Sequence, residues 1–233
     1  MRTIQELSRL SVIIPTLNAA ATLPQTLRSL RNAGPIGEII IADGGSDDPT
    51  VTTATAATAG VRVITGARGR GTQLAAGAVA ASGEWLLFLH ADCRLEPGWA
   101  RAVGDFITAP GASARAGYFA LALDDPAGAA RRIERIVAWR CRILALPYGD
   151  QGLLISRHLY DAVGGFAPLP LMEDVELARR LGRHRLMPIG ASCVASAGRY
   201  RREGYWRRPL RNLLCLSLYF AGLAPARITR LYR

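Results

Sequence analysis

The chain has no lysine: all 29 basic side chains are arginines, set against 18 acids for a net charge of +11. It has only four cysteines (Cys93, Cys141, Cys193 and Cys215), and none forms a Cys-x-x-Cys pair. Scattered thiols argue against a zinc site and for reduced cysteines in a cytosolic setting. Long apolar runs are also missing. The longest, Leu213–Ala226, falls short of the roughly 18–20 residues that a membrane span needs. Met1–Arg9 is polar and no long apolar stretch follows it, so no signal peptide is expected. Aromatics are sparse, at 7% of residues, and do not form the clustered aromatic–basic pattern of a nucleic-acid module. A sequence pI near 10.5 still favours anionic partners. With nucleic acid the least favoured, nucleotides and phospholipid head groups remain.

What is present is a hydrophobic half of a 233-residue chain, enough for one large core. Leu10–Pro15, Gly37–Asp43, Val61–Thr65 and Glu84–Asp92 read as buried strands. Helices are expected between them over Ala19–Asn32, Val51–Ala59 and Gly69–Ser82, with Leu23, Leu27 and Leu30 sharing a face of the first. This alternation predicts a mostly parallel, doubly wound sheet flanked by helices. Further on, helices are expected over Gly98–Thr108 and Pro126–Leu146, with strands at Ala116–Leu123 and Leu153–Ser156. A helical turn follows at His158–Val163, then an exposed loop over Ala167–Leu171 and a helix opened by Glu173-Asp174. In the long helix Ile133, Ile136, Val137 and Leu144 read as the apolar face. Arg140 falls within that face, and its stem is expected to snorkel out rather than bind phosphate. No domain boundary is legible before about Ala197, which suggests a main domain over 10–196 and a basic helical segment over 197–233.

The stretch Glu84–Asp92 organises the rest. It is an apolar run that ends in His90 and Asp92, two apart, which on an extended chain point to one side. In open α/β sheets, ligands bind at the carboxyl ends of strands. A capping role for Asp92 and a satisfied strand-end histidine would explain the same two residues. Glu173-Asp174 likewise has a plain reading, because acids in a first helical turn suit the helix dipole.

Several motifs in order form a more specific pattern. They are Ser11-Val12-Ile13-Ile14-Pro15-Thr16-Leu17-Asn18, Asp43-Gly44-Gly45-Ser46-Asp47-Asp48, His90-Ala91-Asp92, Gly164-Gly165-Phe166 and Glu173-Asp174. In this order and at these separations, from Leu10 to about Arg185, they resemble family 2 glycosyltransferases of the GT-A fold. The resemblance extends to small bacterial members with His-Ala-Asp in place of the usual Asp-x-Asp, and with Gly-Asp-Gln and Met-Glu-Asp-Val-Glu, which stand here at 149–151 and 172–176. It implies a nucleotide-sugar donor, a UDP-sugar being the commonest type, held at the carboxyl ends of the strands. By the resemblance, Pro15 and Thr16 line the nucleoside pocket with Asn18 beside them, and Asp43 accepts a bond from the base. Arg68 and Arg70 approach ribose or diphosphate. Asp92 matches the second acid of the metal motif, and His90 stands where the first acid usually is. His90 therefore ligates the metal, contacts ribose or does neither. The implied cofactor is a divalent ion, Mn²⁺ or Mg²⁺, with an imidazole tolerated better by Mn²⁺. Glu173 and Asp174 match the acidic pair that carries the general base, Asp174 being the expected base, and a single base implies inversion. Arg199 and Arg202 are candidates for diphosphate contact.

The tail, Arg199–Arg233, flanks an apolar run with arginines, as an interfacial membrane helix does, although a core helix with a basic rim fits as well. A cytoplasmic enzyme at the inner membrane face, acting on a lipid or lipid-linked acceptor, is the resulting expectation. The rival reading is a non-catalytic basic membrane module on a degenerate version of this fold. An oxidoreductase reading of Gly66-Ala67-Arg68-Gly69-Arg70-Gly71 fails on spacing and on its place after the third strand. A nucleotidyltransferase lacks its Gly-rich first loop, where Thr16-Leu17-Asn18 stands instead.

Overall fold

Strand β1 (Leu10–Thr16) is buried along its whole length, as its unbroken apolar sequence requires of a central strand. The structure is a computed structural model that describes residues 6–31, 34–57 and 60–232. β1 pairs in parallel with β2 (Glu38–Asp43) on one side and β4 (Trp85–Phe88) on the other, and β2 pairs in parallel with β3 (Val61–Thr65). The crossovers are α1 (Leu23–Arg31), α2 (Thr50–Ala57) and α3 (Arg70–Ala80). The expected ends of the first two at Asn32 and Ala59 lie outside the described residues.

Beyond β4 the sheet changes character. β7 (Leu153–Ser156) runs antiparallel to β4, and β6 (Ala116–Leu123) runs antiparallel to β7. β8 (Leu186–Ala195) runs parallel to β6, and β5 (Cys93–Leu95) closes the edge antiparallel to β8. The order is β3-β2-β1-β4-β7-β6-β8-β5 in one sheet of eight strands. Helices α4 (Trp99–Thr108), α5 (Gly128–Leu144), α6 (Arg157–Ala162) and α7 (Glu173–Leu181) complete the main body.

Three sequence expectations need correction here. The strand expected to run from Glu84 to Asp92 ends at Phe88, and His90 to Asp92 form a turn into β5. His90 and Asp92 therefore do not share a strand face. The turn is held instead by α1, where Thr26 Oγ1 donates to the Ala91 carbonyl at 2.9 Å. The face of α5 also differs. α5 packs on β6 through Ala130, Ile133, Val137 and Cys141. Spacings of three and four keep these on one narrow stripe, whereas Ile136 is 56% exposed and Leu144, at the helix end, is exposed as well. In the expected exposed loop over Ala167–Leu171, Leu171 is buried in the core.

The C-terminal helices are α8 (Gly198–Glu203), α9 (Arg207–Phe220) and α10 (Pro225–Tyr232). Cys215, Leu216 and Ile228 join the core cluster of the main body. Arg208 is buried against the Tyr232 ring, 4.3 Å from its centroid, and pairs with Glu203. No helix among the described residues is long and apolar enough to cross a membrane.

Candidate active site

The carboxyl ends of β1 and β2 are built around Asp43, which is 2% exposed. Its Oδ1 accepts from Thr16 Oγ1 at 2.9 Å and Ser46 Oγ at 2.6 Å. Its Oδ2 accepts from the amides of Gly45 at 2.9 Å and Ser46 at 2.8 Å. Burial works to push the carboxyl up, but the bonds from Ser46, Thr16 and Gly45 prevail and hold it below the ordinary range. The protein thus fills both oxygens of Asp43, and a bond to a nucleoside base has to displace or share one of these donors.

Asn18, with φ of 54°, sits in the facing loop. Its Oδ1 accepts from the Asp47 amide at 2.8 Å and its own amide donates to Ser46 Oγ at 2.9 Å. Arg68 reaches back to the Gly45 carbonyl and to Asp47, each at 3.0 Å, while its side chain stays mostly exposed. Pro15 and Thr16 are buried at the end of β1. Gln73, which the sequence analysis did not single out, donates its Nε2 to the carbonyls of Thr16 at 2.7 Å and Ala42 at 2.8 Å. It pins the two strand ends together, and Gly44 is the residue that lets it approach.

The second half of the site gathers around the turn Gly149–Gln151. The Gly149 amide donates to Asp174 Oδ2 at 2.8 Å. His90 packs so closely on Gly149 that a Cβ there would stand 2.3 Å from its Nε2. Cys93 Sγ lies 3.8 Å from Asp92 Oδ1 and 3.6 Å from the Asp150 carbonyl. One short turn thereby brings the His90–Asp92 segment and the start of α7 together. Gln151 is buried and anchors the turn, donating to the Phe119 carbonyl at 3.0 Å. Arg140 does not snorkel out. It donates Nε to the Leu146 carbonyl at 2.9 Å and Nη2 to Gln151 Oε1 at 3.0 Å, and lies over the Tyr148 ring.

Electrostatics separate the two acids of α7. Glu173 is fully buried, and its Oε1 is ion-paired to Arg70. Desolvation nevertheless raises its carboxyl above the ordinary range, against the pull of Arg70. Arg70 therefore meets Glu173. Asp174 is the acid whose Oδ2 reaches the Gly149 turn. Burial, and then the charge of Arg70, push His90 down to about 4, so its ring is neutral near pH 7. Arg199, exposed on α8, is near enough for its charge to act on His90 as well. Arg202 lies on the same helix and is exposed.

Among the described residues, the atoms that could hold a metal are those of His90, Asp92 and Cys93, all within 4.8 Å of one another. A neighbouring Cys193 thiol and burial push the Cys93 thiol up, so it stays protonated and is a poor ligand for a hard ion. His90 Nε2 is buried with no partner among the described residues. A carboxylate and a neutral imidazole in one turn fit a divalent ion such as Mn²⁺.

The order of this construction matches a known family. Residues 11–170 match the model of glycosyl transferase family 2. The chain belongs to that family. Asp174 lies just beyond the matched span. A PGL/p-HBAD biosynthesis glycosyltransferase of Mycobacterium bovis is 42% identical over 94 residues, which is 35% of this chain and 34% of the relative. The aligned part is thus about a third of that protein. Among solved structures, a mannosyltransferase from Pyrobaculum calidifontis, in complex with GDP-Man and Mn²⁺, superposes with a TM-score of 0.68 at 20% identity. That match covers 96% of this chain and 68% of the other. Glucosyl-3-phosphoglycerate synthase from Mycobacterium tuberculosis, in complex with Mn²⁺, UDP and glucosyl-3-phosphoglycerate, gives 0.59 at 22% identity, covering 84% and 74%. The fold is therefore the GT-A arrangement expected from the sequence.

Proposed function

We propose that this protein transfers a sugar from a nucleoside-diphosphate donor to an acceptor hydroxyl, with divalent-metal assistance and inversion at the anomeric carbon. The observation that carries this reading is the Gly149 turn, which sets Asp174 opposite the His90–Asp92 segment within one cleft. Pro15, Thr16, Asn18 and Asp43 form the nucleoside end, and Arg199 and Arg202 supply positive charge toward the diphosphate. Arg70 acts one step back, steadying Glu173. Asp92 and His90 would hold the metal, which when bound neutralises charge building on the leaving diphosphate. Asp174 takes the proton of the acceptor hydroxyl from the opposite side of the sugar, and one base with in-line attack gives inversion. Relatives in the same fold bind UDP or a GDP-sugar with Mn²⁺, which supports this donor class.

The acceptor reading is a lipid or lipid-linked hydroxyl at the inner membrane face. Residues 10–196 carry the chemistry, joined by Arg199 and Arg202, and the rest of 197–233 helps hold the protein to the surface. In support, α5 exposes Ile136 at 56% and Trp139 at 55% beside Arg132 and Arg135, and α9 opens on Trp206 at 70% with Leu210, Leu213 and Leu214 exposed. Exposed apolar side chains among arginines, with no lysine in the chain, complement an anionic lipid surface.

Calorimetric titration of UDP and GDP with and without Mn²⁺ tests the donor reading. Mn²⁺-dependent binding of one nucleotide is expected, and no binding of either under any metal overturns it.

A further inference from the structure

Asp150 is a carboxylate with one oxygen that the fold leaves without a hydrogen-bond partner among the described residues. Its Oδ1 is buried with no hydrogen bond. The cation nearest in effect, Arg140, spends its Nε and Nη2 on the Leu146 carbonyl and Gln151 Oε1 instead. The backbone around it is nonetheless firmly placed. Gln151 N donates to the Tyr148 carbonyl at 2.9 Å, the Gln151 side chain is anchored on Phe119, and the Asp150 carbonyl faces Cys93 Sγ. A fixed turn that carries an unsatisfied buried acceptor is a costly arrangement unless a ligand supplies the donor.

The position of Asp150 says what kind of donor. The residue before it touches both Asp174, through the Gly149 amide, and His90. Its carbonyl shares the Cys93 thiol with Asp92. The charges of Asp174 and Asp92 both act on its carboxyl. Asp150 therefore lies close both to Asp174, the proposed base, and to the His90–Asp92 pair proposed to face the diphosphate. In an in-line displacement the transferred sugar occupies that space. An ionised carboxylate only accepts hydrogen bonds, and the donors a sugar offers are its hydroxyls.

We infer that Asp150 binds a hydroxyl of the transferred sugar and so helps set which sugar the site takes. This rests on the glycosyltransferase reading above and gives Asp150 a role in specificity. A site built to hold one hydroxyl rejects an analogue that lacks or inverts it, because the buried carboxylate is then left unpaired.

The test is calorimetry with Mn²⁺ on the full chain and on Asp150→Asn and Asp150→Ala, using UDP against UDP-glucose and GDP against GDP-mannose. Expected is a loss of about tenfold or more in affinity for the sugar nucleotide, with the bare diphosphate within about twofold of the unsubstituted protein. Retained diphosphate binding also shows that the variant is folded. Equal losses for diphosphate and sugar nucleotide overturn the inference and make Asp150 part of the metal or diphosphate site. Unchanged affinity for both overturns it too. An unsubstituted protein that binds neither diphosphate overturns the underlying reading itself, which none of the variant outcomes does.

Discussion

The two halves of the cleft are finished to different degrees. At the ends of β1 and β2, Thr16, Asn18, Asp43, Ser46 and Gln73 bond to one another and to backbone. At the Gly149 turn, His90 Nε2, Asp150 Oδ1 and Glu173 Oε2 are buried and unpartnered among the described residues. The first half is a scaffold whose polar groups satisfy the fold. The second keeps polar groups in reserve, and burial without a partner is tolerated where a ligand completes the set. The difference separates a nucleoside end whose polar groups are already satisfied from residues that a ligand has to complete.

Substitutions that break this contrast can be ranked. Asp174→Asn keeps the bond to the Gly149 turn within reach but removes the base, so turnover should fall by about 10²–10⁴-fold with donor affinity nearly unchanged. Steady-state rates with calorimetry in parallel check it, and unaltered turnover would remove Asp174 from the role. Asp92→Ala should lower Mn²⁺-dependent nucleotide affinity by roughly 10–100-fold, the scale seen even for outer partners of bound metals. Metal-independent binding in the unsubstituted protein would contradict that. Gly149→Ala places a Cβ 2.3 Å from His90 Nε2, so the ring or the turn has to move. Metal affinity should drop by about tenfold, less than for Asp92→Ala because the carboxylate stays. The smallest effect concerns the surface. Trp139→Ser removes one exposed ring, and binding to vesicles with anionic lipid at low salt should weaken by several-fold, on the scale of a partly buried apolar side chain. Co-sedimentation measures it, and full-length protein that ignores such vesicles ends the membrane reading.

In the parallel half, β1, β2 and β4 were legible because they are buried on both faces and read as apolar runs. β3, β6 and β7 begin and end where the sequence places them. β8 was not anticipated, since Pro188 and Gly190 interrupt it and a proline normally demotes a strand. The sheet absorbs the interruption with a register shift opposite Tyr118 and Ala120. β5 has only three residues and gives no periodic signal. In the site, the motif residues could be named, but not their partners. That Arg70 would meet Glu173 across 103 positions, or that Gln73 would bridge two strand ends, depends on how α3 lies on the sheet. Asp150 stood in the Gly-Asp-Gln motif without a role, because nothing in its neighbours announces a buried orphan.

The most direct measurement is the melting of Asp43→Ala against Asp150→Ala, without ligand, at pH 7.5. Asp43 ionises more readily in the fold than usual, so its stabilisation is fully present at this pH and fades only as pH falls through its lowered value. Removing it strands the donors of Thr16, Gly45 and Ser46 and should cost roughly 2–4 kcal/mol. Asp150 has the opposite sign. Burial raises its carboxyl from 3.8 to about 6, so its ionised form is disfavoured in the fold and stability declines as pH rises across that window. Asp150→Ala should therefore melt no lower than the unsubstituted protein, while it loses sugar-nucleotide affinity. If Asp150→Ala falls as far as Asp43→Ala, both halves of the cleft are scaffold and the contrast between them is wrong.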